Sequence, residues 1–258
     1  MAQFRENIYL KEEDSDRHCF SDFVVNFLIV ILVNHLLIMV IVVTGFGLFR
    51  DYNVNASWEA VRGLKDVWTD TKHELITEEI PVEYDFVLNN VPHKWSDVKP
   101  DFIVHVGVSC KANMLTLEKQ GHNTGYDKPD VNNCLPPEYC CDNTCSKTVE
   151  TSCLDLEKLN TDVNNDCGDQ GLGVESCVSD DAGHYLCDFV YFKSLNSHDR
   201  RSLFVHVPEI DKPYSVHQMT LGLKIILENI VKQLDQDTST TDSIKQSPRK
   251  VSTWASYK

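Results

Sequence analysis

Three places in the chain carry side chains whose types and spacing could do chemistry. The stretch Leu115-Thr116-Leu117-Glu118-Lys119-Gln120 alternates apolar and polar residues, so Glu118 can point inward near a strand end. In Asp181-Ala182-Gly183-His184-Tyr185-Leu186-Cys187-Asp188-Phe189 an Asp/Gly turn leads into a helical pattern, with Cys187 in its first turns. There the positive end of the helix dipole stabilises a thiolate, and unpaired backbone N–H groups can hold an oxyanion. In Leu203-Phe204-Val205-His206-Val207-Pro208 an imidazole ends a very apolar strand. Singly, each has an ordinary reading: a solvated carboxylate, a buried structural thiol, a satisfied core histidine. Together, a thiol, an imidazole and a carboxylate at three strand ends fit a cysteine hydrolase.

Those side chains must be positioned by the elements around them. Strand patterns fall on Met39–Thr44, Leu75–Ile80, Phe102–Val106, Met114–Gln120, Gly173–Val178 and Leu203–Val207. Helical patterns fall on Ser57–Trp68, Tyr84–Val91, Ala182–Ser194 and Val216–Leu234, the last with Leu221, Ile225, Leu227 and Ile230 on one stripe. The alternation predicts an α/β fold, a three-layer α/β/α sandwich with a largely parallel central sheet in a single domain. Sites in such sheets lie at the carboxyl ends of the strands.

Composition sets outer bounds. The chain has 258 residues, 42% of them hydrophobic and 24% charged, which is globular rather than disordered. Its net charge of -15 repels phosphate backbones and argues against nucleic acid as a partner. Ten cysteines are an even count, but a chain this long with this much core needs no disulfide staples, so a reduced intracellular protein is expected. Cys134, Cys140, Cys141 and Cys145 cluster without two clear zinc knuckles, so no structural metal is expected.

The ends are less ordinary. An apolar run extends from Phe23 to Val43, broken by Asn26, Asn34 and His35. Its length suits a membrane helix, but its preceding flank is acidic and its last residues read as a buried strand running into Thr44-Gly45-Phe46-Gly47. Residues 1–37 are therefore set apart as an extension: a weak membrane or interfacial anchor, an extra helix packed on the domain, or a non-native addition. Residues 38–235 form the domain, with a loop-rich insertion at 123–172 and one short helix near Ser152–Leu159. Residues 236–258, rich in Ser and Thr, are expected to be disordered.

Residues 41–61 (IVVTGFGLFRDYNVNASWEAV), 80–84 (IPVEY), 104–123 (VHVGVSCKANMLTLEKQGHN), 181–189 (DAGHYLCDF) and 204–208 (FVHVP) resemble the pyroglutamyl-peptidase I family, especially its animal members. The resemblance covers about residues 39–235. It implies a cytoplasmic cysteine peptidase that removes N-terminal pyroglutamate from peptides, on a compact α/β sandwich, with no metal or other cofactor. By motif it places the nucleophile on Cys187, the general base on His206 and the acidic member on Glu118. It places the substrate pocket on Phe46, Phe49, Val108, Tyr185 and Leu186.

Three departures from the family pattern stand out. The usual Gly-Phe-x-Pro-Phe-Gly turn reads Gly45-Phe46-Gly47-Leu48-Phe49-Arg50, so loss of the Pro and second Gly is expected to loosen it. The arginine that assists the oxyanion in microbial members has no secure match, Lys128 being a weak candidate. The two ends have no counterpart. Microbial relatives associate, whereas the acidic insertion is expected to favour a monomer. The competing readings are a non-catalytic, membrane-tethered binder of blocked peptide termini and an amidase acting on another small lactam.

Overall fold

The computed structural model describes residues 38–49 and 53–245. Its strands are β1 (Val40–Phe46), β2 (Glu74–Ile80), β3 (Phe102–Val108), β4 (Leu115–Glu118), β5 (Gln120–His122), β6 (Val149–Thr151), β7 (Ser176–Ser179) and β8 (Ser202–Val207). Its α-helices are α1 (Ala56–Arg62), α2 (Leu64–Val67), α3 (Tyr84–Val98), α4 (Leu156–Asp169), α5 (Leu186–Ser197) and α6 (Val216–Lys245). Six strands form one sheet in the order β2-β1-β3-β8-β4-β7. Every pairing in it is parallel except β4 with β8. Strands β5 and β6 make a separate antiparallel ribbon.

The two-residue strand period sorts apolar side chains onto opposite faces. Ile41, Val43, Phe102, Val104, Leu203 and Val205 pack with residues of α1, α2, α4 and α6. Val42, Ile103 and Phe204 pack with residues of α3 and α5. That is the expected three-layer sandwich. On α6, Met219, Leu223, Ile226 and Ile230 are all buried, a stripe at helical spacing. At the entry to α1, a Cβ on Gly45 would lie 2.7 Å from the Trp58 Cα, so β1 and α1 approach this closely only over a glycine.

Several boundaries differ from the sequence reading. The Met114–Gln120 pattern is two strands, because the Lys119 N–H donates to the Ser179 carbonyl while the Lys119 carbonyl accepts from Ser152. The chain there leaves the main sheet for the ribbon. Helix α3 runs through Pro92 to Val98 rather than stopping at Val91. An interior proline costs about 3 kcal/mol. Burial of Trp95, whose Nε1 donates to Ser194 Oγ at 3.1 Å, offsets most of it. Helix α5 begins at Leu186, not Ala182, since Gly183 is left-handed (φ 85°) and Tyr185 is extended.

The insertion also holds more structure than its composition suggested. Helix α4 runs to Asp169 and puts Leu156, Leu159, Val163 and Cys167 into the core. At the other end, α6 continues to Lys245, where disorder is expected from Gln236. Extending a formed helix adds one hydrogen bond per residue fixed and needs no new nucleus. The expectations for residues 1–37, for Cys19 and Arg50, and for the tail beyond residue 245 lie outside the described residues. The described residues from Met39 onward form one compact unit. Among the described residues no helix is long and apolar enough to cross a membrane.

Candidate active site

The single antiparallel step in the sheet brings the carboxylate to the imidazole. Across β4 and β8, Thr116 pairs with His206 and Glu118 with Phe204. Paired residues share a face, and Glu118 is two residues from Thr116, so Glu118 and His206 lie diagonally on one face. Phe204 on that same face packs among residues of α5, and α5 carries Cys187 at its second position. Next to β8, β3 pairs Gly107 with His206. A Cβ on Gly107 would lie 2.8 Å from Cys187 Sγ and 2.7 Å from Phe204 Cζ. Bare glycine backbone is therefore the floor under the thiol.

The hydrogen bonds follow from this placement. His206 Nδ1 lies 2.8 Å from Glu118 Oε1, and with Nδ1 protonated it donates to the carboxylate. Glu118 is only 2% exposed and its Oε2 makes no hydrogen bond, so its charge is directed at the ring. Burial disfavours the charged imidazole. Hydrogen bonds to Cys187 and Glu118, with the negative charges behind them, overcome that and hold His206 up at about 10. The contrast is His105 on β3, equally buried but held between Thr44 and Ser194. Desolvation with no opposing charge lowers it to about 3, and it stays neutral.

Cys187 is the second residue of α5, nearer the helix start than a start at Ala182 would have put it. The first backbone bond of α5 is from the Phe189 N–H to the Tyr185 carbonyl. The N–H groups of residues 186–188 precede it, and the N-cap residue Tyr185 offers no side-chain cap. Uncapped donors beside a thiol are suited to hold a developing oxyanion.

All five expected wall residues, Phe46, Phe49, Val108, Tyr185 and Leu186, border one cavity of about 70 Å³ that ends on Cys187. Phe49 and Tyr185 stand with ring centroids 5.6 Å apart. Val82 and Asn55 complete the lining. Asn55 holds the turn through three bonds. Its Nδ2 donates to the Gly47 carbonyl at 2.8 Å, and its Oδ1 accepts from Ser57 N and Oγ. Ser57 Oγ in turn accepts from the Phe46 N–H, and the Gly47 N–H donates to Ile80 O. The turn without its proline is thus anchored at least through Gly47.

Asn55, Val82 and Gly107 were not anticipated. Asn55 had a legible signal, an N-cap residue before a helical pattern; Val82 and Gly107 had none. Lys128 lines an adjacent cavity with Phe49 and Tyr185 rather than the one ending on Cys187. Cys134, Cys140, Cys141 and Cys145 are free, as are the other described cysteines. Among the described residues the grouping able to hold a metal is His122, His184 and Asp188, so those four thiols do not converge.

The profile of the family described as pyroglutamyl peptidase matches residues 39–241. The chain is 41% identical to human pyroglutamyl-peptidase 1 over 196 residues, covering 76% of this chain and 91% of that protein. It is 27% identical to a pyrrolidone-carboxylate peptidase of Oceanobacillus iheyensis, over 67% of this chain and 85% of that one. The fold is that of the pyroglutamyl peptidase I crystal structure from Bacillus amyloliquefaciens, with TM-score 0.65, 21% identity, and coverage of 75% of this chain and 97% of that one. A mutant pyrrolidone carboxyl peptidase from Pyrococcus furiosus matches with TM-score 0.67 at 20% identity, covering 76% and 100%.

Proposed function

The chain belongs to the pyroglutamyl peptidase family, and from that premise we propose how its residues remove pyroglutamate. It is a cysteine peptidase that hydrolyses the amide bond after an N-terminal pyroglutamyl residue. The reading of its machinery rests on one observation. The Glu118–His206 pair at 2.8 Å and the uncapped start of α5 converge on a thiol at the end of an aromatic-walled cavity.

His206 holds the proton of the Cys187 thiol as an imidazolium, and Glu118 balances that charge. The Cys187 sulfur attacks the pyroglutamyl carbonyl, and its oxygen takes negative charge against the N–H groups opening α5, that of Cys187 foremost. His206 gives its proton to the leaving amine as the carbon–nitrogen bond breaks. It then takes a proton from water, which attacks the thioester and frees pyroglutamate. Phe46, Phe49 and Tyr185 enclose the flat faces of the lactam, and main chain near Val108 meets its polar edge. A small, mostly apolar cavity disfavours an ordinary charged N-terminus, whose ammonium would lose solvation there without a partner.

The substrates are peptides blocked by pyroglutamate. The setting is a reducing one, the cytoplasm, where Cys187 stays a thiol as the other described cysteines do. Release of a fluorogenic amine from pyroglutamyl and prolyl amides, by the chain and by Cys187→Ser, tests the reading. Turnover of the pyroglutamyl amide alone, lost in Cys187→Ser, is expected. Equal use of the prolyl amide would exclude lactam selectivity, and activity surviving Cys187→Ser would exclude the mechanism.

A further inference from the structure

Close to Cys187 but outside the proposed machinery lies a second set of chemically able side chains. Strand β5 ends on His122, the turn before α5 carries His184, and α5 carries Asp188. One ligand atom from each can be chosen so that all three lie within 4.8 Å of one another. We infer that His122, His184 and Asp188 form a binding site for one divalent transition-metal ion of the zinc type.

The geometry of the His122–Asp188 pair carries the argument. Nδ1 and Oδ1 are 3.3 Å apart, longer than the roughly 2.7–2.9 Å of a charge-assisted hydrogen bond. It matches the edge of a tetrahedral zinc site, about 3.3 Å for metal–ligand bonds near 2.0–2.1 Å. The Asp188 carboxylate is fully buried. It accepts from the His122 backbone N–H at 3.1 Å, lies 3.0 Å from a Tyr126 hydroxyl that it shares with the His122 carbonyl, and faces the His122 ring.

The third ligand gives access from solvent. His184 is exposed and stands edge-on to His122, with ring centroids 5.3 Å apart. The ring also lies over Gly125, and a rotation of its side chain toward Asp188 would close three ligands and leave a fourth position for water. Two imidazoles and one carboxylate suit zinc, cobalt or nickel rather than calcium or magnesium. The hydrogen bonds from Tyr126 and the His122 backbone already orient the carboxylate, as outer partners of metal ligands do. The ion would tie β5 to the turn that carries Tyr185, and it takes no part in the hydrolysis.

The test titrates Co²⁺ into the full chain and follows its visible absorption, then displaces it with Zn²⁺. One Co²⁺ per chain is expected, with nitrogen and oxygen ligation and no thiolate-to-cobalt charge-transfer band. Cys187→Ser should bind it equally well. His184→Ala, at an exposed position, should weaken it at least tenfold with an unchanged melting temperature in the absence of metal. No binding, a thiolate band, or unchanged affinity in His184→Ala would each overturn the site. None of these outcomes bears on peptidase turnover.

Discussion

Gly107→Ala puts a methyl group under the Cys187 sulfur, the proposed nucleophile. Ordinary contact for such a carbon begins near 3.4 Å, and the new Cβ would stand 2.8 Å from Cys187 Sγ and 2.7 Å from Phe204 Cζ. The sulfur must therefore move by about 0.6 Å and the ring edge by about 0.7 Å. Overpacking of this kind costs about 1–3 kcal/mol, and a misplacement near 1 Å costs about 10²-fold in rate. We expect kcat/KM on a pyroglutamyl amide to fall roughly 10- to 100-fold, mostly in kcat, with a lower melting temperature. Alkylation of Cys187 by iodoacetamide, followed by peptide mapping, should slow as well, because the thiol is pushed off His206. Wild-type turnover with wild-type alkylation would refute the placement of the sulfur over Gly107. A loss of stability alone would refute it too, since the sulfur would then have kept its place.

Two further substitutions probe the support of the site. Glu118→Gln keeps the size of the side chain but removes the charge that helps hold His206 near 10. The imidazolium then loses its proton at lower pH, so the alkaline limb of the kcat/KM profile should move toward neutrality and kcat should fall by about 10²–10⁴-fold; an unmoved limb would exclude the pairing. Asn55→Ala removes the N-cap of α1 and the clamp on the Gly47 carbonyl. It should lower stability by about 1–2 kcal/mol in urea unfolding and raise KM more than it lowers kcat, while an unchanged KM would uncouple the clamp from the pocket.

The sequence carried most of the site because its signals were local. Cys187 followed an Asp/Gly turn into a helix, and His206 closed an apolar strand; each could be placed by its neighbours alone. The meeting of Glu118 with His206 could not. It depends on β4 lying antiparallel to β8, and alternation of apolar residues is the same for either strand direction. The role of Gly107 was hidden for a similar reason, since a glycine within β3 shows its purpose only once the sulfur is seen above it. Composition misled in the insertion. Of the Asn and Asp residues that suggested loops, Asn160 and Asn164 bond to Ser176 and Asp166 to Asn229, beside the buried Leu159 and Val163 four residues apart on α4. Pro92 misled in the same direction, because Trp95 lies beyond it and its burial holds the helix on.

The central claim is that Cys187, alone among these thiols, is poised at the lactam cavity. A pyroglutamyl chloromethyl ketone tests it directly, as it offers the lactam ring to the pocket and an alkylating carbon to the sulfur. Peptide mapping by mass spectrometry should find one label per chain, on Cys187, rising in step with loss of turnover, and a prolyl analogue should label far more slowly. Labelling that falls first on another thiol, such as Cys110 in the neighbouring cavity, or turnover that survives full labelling of Cys187, would contradict the account.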